Sequence, residues 1–380
     1  MADSSFYQAA TTLFNPWLGE WKESGKKIIG YTCSYVPAEI FHAIDILPMR
    51  IRGIETEGTD VGDSFFGPYI CSFPKCILQL AGKGRYRFLD GTIITPGCDS
   101  MRRLDECWRK AGDDYPGIIP PFFYYFDVPH KTLPHGMKWF REEIQNLITA
   151  VEGHFSVTVR EEALGRAIAL YNRGRLLLKE LEEIRTGPDV PISGAEAFAV
   201  AVAGTVMPRE VYTAQLEQLL ADLKTRPALS AGKKRLLVIG SISDDIDLIE
   251  LIEKNENALV VAENLCFGVR FEGHLVAESG DPIAALAEGY LGESTCPRMF
   301  GKYHERLALL KEKIAAANID GVIMQNIRFC DLHGSEHGLL ERDLEKAGVP
   351  CLKVEREYGP LTEVGRMQMR IQAFLERIAK

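Results

Sequence analysis

The sequence predicts an α/β protein of two doubly wound parallel-sheet domains with a helical segment between them. Three observations carry this. Residues 234–354 alternate buried apolar runs with helical stretches, giving four strands in β-α order, the pattern of a parallel sheet. Residues 27–127 show the same alternation with shorter runs. Residues 151–232 are rich in charged stretches of helical period and carry no strand signal. The expected boundaries are an N-terminal α/β domain over 1–150, a helical segment over 151–232 and a C-terminal α/β domain over 233–380.

A first helix is expected over residues 6–21, and KIIGY at 27–31 reads as a short strand. Pro37 opens a helix through PAEIFHAIDI, in the position where proline is tolerated. Residues 47–51 return to an extended pattern, and 66–81 read as helix, with Pro74 at a start or kink. DGTIIT at 90–95 is a buried-strand pattern. A helix over 99–111 follows, capped by Asp99 or Ser100. The aromatic run IIPPFFYYFD at 118–127 is extended, and Pro120 and Pro121 mark its entry. Helices are expected over 159–185 and 210–226, with a small apolar buried helix at 195–207. KRLLVIG at 234–240 is a strand of the buried parallel kind. A polar turn at 241–245 precedes a helix over 246–253 and a strand over 258–262. Helices near 282–289 and 302–318, a strand at 319–324, a helix at 339–347, a strand at 349–354 and a last helix at 363–378 complete the pattern. Such doubly wound, flavodoxin-like sheets bind ligands beyond the carboxyl ends of their strands.

Composition narrows the class. The chain has 380 residues, 46% of them hydrophobic and 26% charged, which excludes a disordered chain, a collagen and a small disulfide scaffold. With 44 basic and 53 acidic residues the formal charge is −9, which argues against broad binding of nucleic acid. No apolar run reaches the ~18–20 residues that span a bilayer. The first residues lack a basic stretch followed by an apolar one, so a cytoplasmic protein is expected. In that compartment the nine cysteines are expected to be thiols.

Short motifs are mostly negative. GEWKESGKK at 19–27 has the wrong spacing for a phosphate loop and precedes a strand. No G-x-G-x-x-G follows a strand, no C-x-x-C exists, and no G-x-S-x-G elbow is present. Gly240, Ser241 and Ser243 offer a weak phosphate site at a helix start. His333, Glu336 and His337 match the H-x-x-E-H pattern of a zinc hydrolase, against the plainer reading of polar loop residues near a cleft.

The cysteines are more informative. Cys98 follows the strand DGTIIT, Cys330 follows IDGVIM, Cys266 follows ALVVA, and Cys71 lies upstream of Cys98 in PYICSFPKC. Two readings stand side by side. In one, these are small buried apolar residues. In the other, Cys71, Cys98 and Cys330 meet in an interdomain cleft and hold three irons of a cubane, leaving the fourth open.

Longer segments decide what the chain resembles. GYTCSYVPAEIFHAIDILPMRIRG at 30–53, the segment from PYICSFPKC through ITPGCDSMRRLDECWR at 68–109, RLLVIGSISDD at 235–245, NIRFCDLHG at 326–334 and GRMQMRIQAFLE at 365–376 are similar to the 2-hydroxyacyl-CoA dehydratase/benzoyl-CoA reductase family. The chain resembles its smaller subunits, the C-type or β kind. The resemblance implies a [4Fe–4S] cluster on Cys71, Cys98 and Cys330, and a homologous second subunit. It also implies a separate ATP-hydrolysing iron–sulfur activator that supplies one low-potential electron. The implied substrate is an acyl-CoA or aroyl-CoA thioester, whose carbonyl is reduced toward a ketyl radical. The resemblance favours a benzoyl-CoA reductase over a dehydratase.

One departure concerns the helix after Pro37, where the family often carries two adjacent glutamates and this chain has Ala38 and Glu39. Glu39 and His42 lie three apart, share a helical face, and are candidates for proton donation or substrate contact beside the cluster. A surface carboxylate and a half-buried histidine are the plainer reading. Cys33, Cys76 and Cys266 exceed a three-ligand site. A branch of the family carries a double-cubane cluster on more cysteines per subunit, and a subunit that only stores electrons is a further alternative.

Overall fold

The structure, a computed structural model, describes residues 5–268, 274–292 and 294–379. Its first sheet holds β1 (Lys27–Tyr31), β2 (Ile46–Arg50), β3 (Gly91–Ile94) and β4 (Phe122–Tyr125), all parallel, in the order β2-β1-β3-β4. The second holds β5 (Lys234–Gly240), β6 (Ala258–Asn264), β7 (Gly321–Ile327) and β8 (Cys351–Arg356), all parallel, in the order β6-β5-β7-β8. The two sheets repeat one topology, and both are parallel, as the alternating sequence pattern predicts.

Strand side chains alternate between two apolar layers. In the first sheet Ile28 and Ile94 face one layer while Ile29 and Ile93 face the other. The first layer is covered by α5 (Ser72–Gly82) and α6 (Asp99–Asp114), through Ile77, Leu78, Leu104 and Trp108. The second is covered by α7 (Pro134–Phe155), through Phe140, Ile144 and Leu147. In the second sheet Leu236 and Val238 pack on α11 (Ile246–Glu253) and α15 (Val364–Ala379). Leu237 and Ile239 pack on α13 (Tyr303–Ala316) and α14 (Asp331–Glu345). Burial on both faces is why these strands read as continuous apolar runs.

The helical segment ties the two sheets together. Helix α8 (Glu161–Thr186) gives Leu164 and Ile168 to one layer of the first domain and Leu177 and Leu181 to the other. Helix α9 (Gly194–Ala203) buries Phe198 and Val202 against the second sheet and Val200 in the core shared by both domains. Helix α10 (Arg209–Leu223) adds Tyr212 and Leu216 to that shared core.

Several expected helices differ in extent. The helix expected over 6–21 is two: α1 (Ser5–Thr11) and α2 (Pro16–Glu23). Pro16 starts the second, and Asn15 caps it by accepting from the Leu18 N–H at 3.1 Å. The helix expected after Pro37 is a single turn, α3 (Glu39–His42), stopped by Asp45 at φ +58°. The helix expected over 66–81 begins only at Ser72, as α5, after an irregular linker that follows a short helix the sequence did not suggest, α4 (Asp60–Phe65). Helix α14 starts at Asp331, eight residues before the expected 339, and carries Gly334 and Gly338 in its interior. Helix α12 (Pro282–Ala287) runs on into a wider turn, Glu288–Gly292.

A buried polar lock joins the domains. Arg52, just past β2, donates from Nε to Asp244 Oδ2 at 2.6 Å, and both side chains are 1% exposed. Its remaining nitrogens reach the Ala9 and Ala10 carbonyls. Tyr358 donates its hydroxyl to Asp244 Oδ1 at 2.7 Å and accepts from the Gly53 N–H at 3.0 Å. The Tyr358 N–H donates to Ser72 Oγ at 2.7 Å, and its ring meets Phe73 edge-on at 4.8 Å. Residues 52, 53, 72 and 73 of the first domain are thus fixed to residues 244 and 358 of the second. Gly53 is obligatory there, because a Cβ would lie 2.7 Å from Cys76 and from Tyr358.

Candidate metal centre

Three loops bring Cys71, Cys98 and Cys330 together, and each cysteine is the residue that caps a helix. Cys71 precedes α5, Cys98 precedes α6 and Cys330 precedes α14. Cys98 follows β3 and Cys330 follows β7, at the carboxyl ends of the two sheets. Three helix N-termini therefore aim unsatisfied N–H groups and partial positive charge at the thiols.

The electrostatics record their convergence. Burial pushes the Cys71 thiol far up, and Cys98 and then Cys330 push it further, while the Phe73 N–H and the Ser100 hydroxyl pull it down. Burial pushes Cys98 up to about 12; Met101 and Ser100 N–H groups pull it back, and Cys330 raises it. Burial also raises Cys330, against the Ser241 hydroxyl and the His333 and Leu332 N–H groups. Cys71 is buried, Cys98 and Cys330 are partly buried, and hydrogen-bond donors aim at all three sulfurs, a donor set that an iron centre fits. Among the described residues no three His, Cys, Asp or Glu side chains are placed to hold a single metal ion. A cubane's ligands sit on different irons, so a cluster asks a less close approach of its thiols than a lone ion does.

A second trio adjoins the first. Burial pushes Cys33, in the loop after β1, up to about 11; Arg50 pulls it down, and Cys266 and Cys296 push it up. Cys33 also raises Cys98, which joins the two groups. Arg50 is 1% exposed and places Nη2 3.2 Å from Cys266 Sγ. Its Nε donates to the Thr32 carbonyl at 3.2 Å. The segment carrying Cys296 is pinned to the first domain by Arg298, which donates to the Pro96 carbonyl at 3.0 Å and the Pro129 carbonyl at 2.6 Å. Cys296 and Arg50 are absent from the sequence-based candidates. Nothing local marks Cys296, whose place depends on a fold-back from the second domain.

The other expected residues lie elsewhere. Glu39 is fully buried, receives Arg175 Nη2 at 2.7 Å and accepts the Tyr290 hydroxyl at 2.6 Å. His42, on the same turn, faces Glu210 at 3.4 Å and the edge of Tyr171. Neither residue makes a hydrogen bond or ion pair with Cys71, Cys98 or Cys330 among the described residues. Cys76 points to the Tyr358 carbonyl at 3.7 Å, in the shared core. His333 and His337 lie inside α14 with ring centroids 5.9 Å apart, but Glu336 is held in an ion pair by Arg306. That carboxylate is engaged, which removes the general base the zinc-hydrolase pattern needs. Ser241 and Ser243 turn inward to Ile327 and Arg356, so the expected phosphate site is filled by the chain itself. Among the described residues no helix is long and apolar enough to cross a membrane.

Two parallel-sheet domains, with Cys98 and Cys330 following strands of different sheets and Cys71 at a helix start beside them, define a class of protein with a thiol-lined interdomain centre. Residues 33–378 match the family described as 2-hydroxyglutaryl-CoA dehydratase, D-component, and the chain belongs to that family. It is similar to the C-type subunit of benzoyl-CoA reductase from Thauera aromatica, with 29% identity over 86% of this chain and 83% of the relative. It is also similar to the (R)-phenyllactyl-CoA dehydratase beta subunit of Clostridium sporogenes, with 24% identity over 94% of this chain and 93% of the relative. The beta subunit of (R)-2-hydroxyglutaryl-CoA dehydratase from Acidaminococcus fermentans shares 22% identity, over 95% of each chain. These relatives are subunits of enzymes, as the resemblance implies.

Proposed function

We propose that the chain is the iron–sulfur subunit of an enzyme of the benzoyl-CoA reductase/2-hydroxyacyl-CoA dehydratase type. The observation that carries this is the convergence of Cys71, Cys98 and Cys330 at three helix N-termini. Those residues would hold a [4Fe–4S] cluster, which when bound supplies one-electron reduction and an open iron for a CoA-thioester carbonyl. The chain's own part is to bind and insulate. Helices α5, α6 and α14 stabilise the negative charge of the sulfurs with their N-terminal N–H groups. The shared core packs against one side of Cys98 and Cys330 and limits their contact with water. Of the two proposed proton-handling residues, Glu39 is engaged by Arg175 and Tyr290, which makes it a positioning group, and His42, paired with the largely exposed Glu210, is the one left to move a proton. The fit to a ring reductase rests on the 29% identity to the Thauera aromatica relative. A homologous second subunit and an ATP-hydrolysing iron–sulfur activator are the proposed partners.

The second trio favours one further reading. With Cys33, Cys266 and Cys296 beside the first group, six cysteines would ligate a double-cubane cluster, and the chain would serve as an electron store. Arg50 would then balance the added negative charge. Iron and sulfide analysis of anaerobically purified protein separates the readings. About four irons per chain support the single cluster, and about eight support the double one. Zinc alone, or no metal, overturns both. With about eight, Cys33→Ser should lower the count while Cys76→Ser leaves it unchanged. With about four, an assay of the activator, ATP, a strong reductant and benzoyl-CoA tests the reductase.

A further inference from the structure

We propose that Arg298 and Arg306 are positioning residues of the thiol centre, holding Cys296 against the Cys98 loop of the first domain and the Cys330 helix of the second. Arg298 lies two residues after Cys296 and is 3% exposed. Its Nε donates at 3.0 Å to the carbonyl of Pro96, two residues before Cys98. Its other nitrogens donate to the Val128 and Pro129 carbonyls, just past β4. Arg306 is also buried, and its Nη1 donates to the Cys296 carbonyl at 3.3 Å and the Met299 carbonyl at 3.2 Å. Its Nε donates to Glu336 Oε2 at 3.0 Å, on the helix that Cys330 caps. One short segment thus reaches the Cys98 loop and α14, which belong to different domains.

The other cysteines of the second trio are tied in the same manner. Tyr35, two residues after Cys33, shares a buried hydrogen bond with Ser294, two residues before Cys296. The guanidinium of Arg298 lies 6.0 Å from the centre of the Tyr35 ring. Thr32, just before Cys33, accepts from the Thr95 N–H at 3.0 Å. A Cβ on Gly97 would lie 3.8 Å from Cys33 Sγ, so that sulfur sits beside the residue before Cys98. Ser34 donates to the Cys266 carbonyl at 3.5 Å. Side chains next to the cysteines therefore set how these loops meet.

Packing alone does not account for Arg298. Its acceptors are three backbone carbonyls, and among the described residues it has no carboxylate partner. A buried cation without an anion carries a desolvation cost that an apolar side chain avoids. Arg50 is a second buried arginine with no carboxylate partner among the described residues. Cysteines become anionic thiolates when they bind metal. Two fixed cations, one 3.2 Å from Cys266 Sγ and one two residues from Cys296, offset that added charge. Arg298 thus has a use at a loaded thiol centre that a purely structural residue lacks.

The proposal rests on the reading in which six cysteines form one site, and its first test needs no metal. Metal-free protein under argon is treated with iodoacetamide, and each cysteine peptide is followed by mass spectrometry. Arg298→Lys and Arg306→Lys keep the charge but lose the planar fork that joins several acceptors. Tyr35→Phe removes only the hydroxyl that meets Ser294. Each should speed labelling of Cys296 by about five-fold, the shift that one net hydrogen bond gives a local opening. Cys76, Cys107 and Cys351 should label at the wild-type rate. Unchanged Cys296 labelling in both lysine variants overturns the proposal. So does a uniform rise at all nine cysteines, which signals general loosening. Iron analysis after anaerobic reconstitution reports separately on the six-cysteine reading. With about eight irons in wild type, Arg298→Lys should hold about half as many, and an undiminished count in that variant also overturns the positioning role. About four irons in wild type refute the six-cysteine reading, and the labelling then decides alone how Cys296 is held.

Discussion

Replacing Arg52 with methionine keeps most of the side-chain volume and removes the charge that faces Asp244. Both partners are 1% exposed, so the Asp244 carboxylate is left in the core with the Tyr358 hydroxyl as its remaining side-chain donor. Breaking one side of a buried pair in this way costs about 3–5 kcal/mol. A whole domain is stable by only about 5–15 kcal/mol, so the loss is a large share of the total. Because the pair joins the two sheet domains, calorimetry should show one transition in wild type splitting into two in Arg52→Met. The double variant Arg52→Met/Asp244→Leu removes both charges; like the single variant it strips the Ala9 and Ala10 carbonyls of their donor, and in place of a buried carboxylate it leaves an orphaned Tyr358 hydroxyl, which costs about 1–3 kcal/mol. It should therefore be more stable than the single variant, a non-additivity that urea unfolding followed by circular dichroism reads directly. A cost below about 1 kcal/mol for Arg52→Met, or additive losses in the double variant, would refute the buried lock.

Two further outcomes follow from the same kind of reasoning. Burial and then Lys353 depress His337 to about 4, below the ordinary value near 6.5. Its neutral form thus contributes stability that is present above about pH 6.5 and lost as pH falls toward 4. The urea midpoint of metal-free wild type should fall more steeply across that window than that of His337→Leu; parallel curves would contradict the assignment. Glu39→Gln should cost several kcal/mol, on the order of 3, because it leaves Arg175 buried without its carboxylate. His42→Ala should cost under about 1 kcal/mol, since its partner Glu210 is largely exposed. Equal melting temperatures for the two variants would show that Glu39 is not the anchored member of the pair.

The second sheet was the most legible part of the chain. Strand β5 and helix α11 fall where KRLLVIG and the following apolar stretch place them, because burial on both faces writes a continuous apolar run. Cys98 and Cys330 were legible for a related reason: each follows such a run, and strand ends are where open sheets gather ligands. Short elements were harder. Helix α3 has one turn because Asp45 takes a left-handed conformation, which no periodicity encodes. Helix α14 was read too short because its two interior glycines resemble loop signals, while its packing against β7 and β8 supplies the helix. Cys296 and Arg50 depend on contacts between residues far apart in sequence. Gly240 is similar: its place at φ +137° is imposed by Gln325, whose carbonyl oxygen would lie 1.8 Å from a Cβ. Such constraints live between strands and leave no mark on either strand alone.

The division of the thiols between the two halves of the chain bears on biosynthesis. Cys71 and Cys98 leave the ribosome long before Cys330, and the second sheet must form before Cys330 can reach them. A nascent or truncated polypeptide therefore exposes two thiols of the trio without the third. The trio is complete only once the second sheet has formed and the domains have docked, so the proposed cluster site is assembled late in folding and an unfinished chain would offer it an incomplete ligand set.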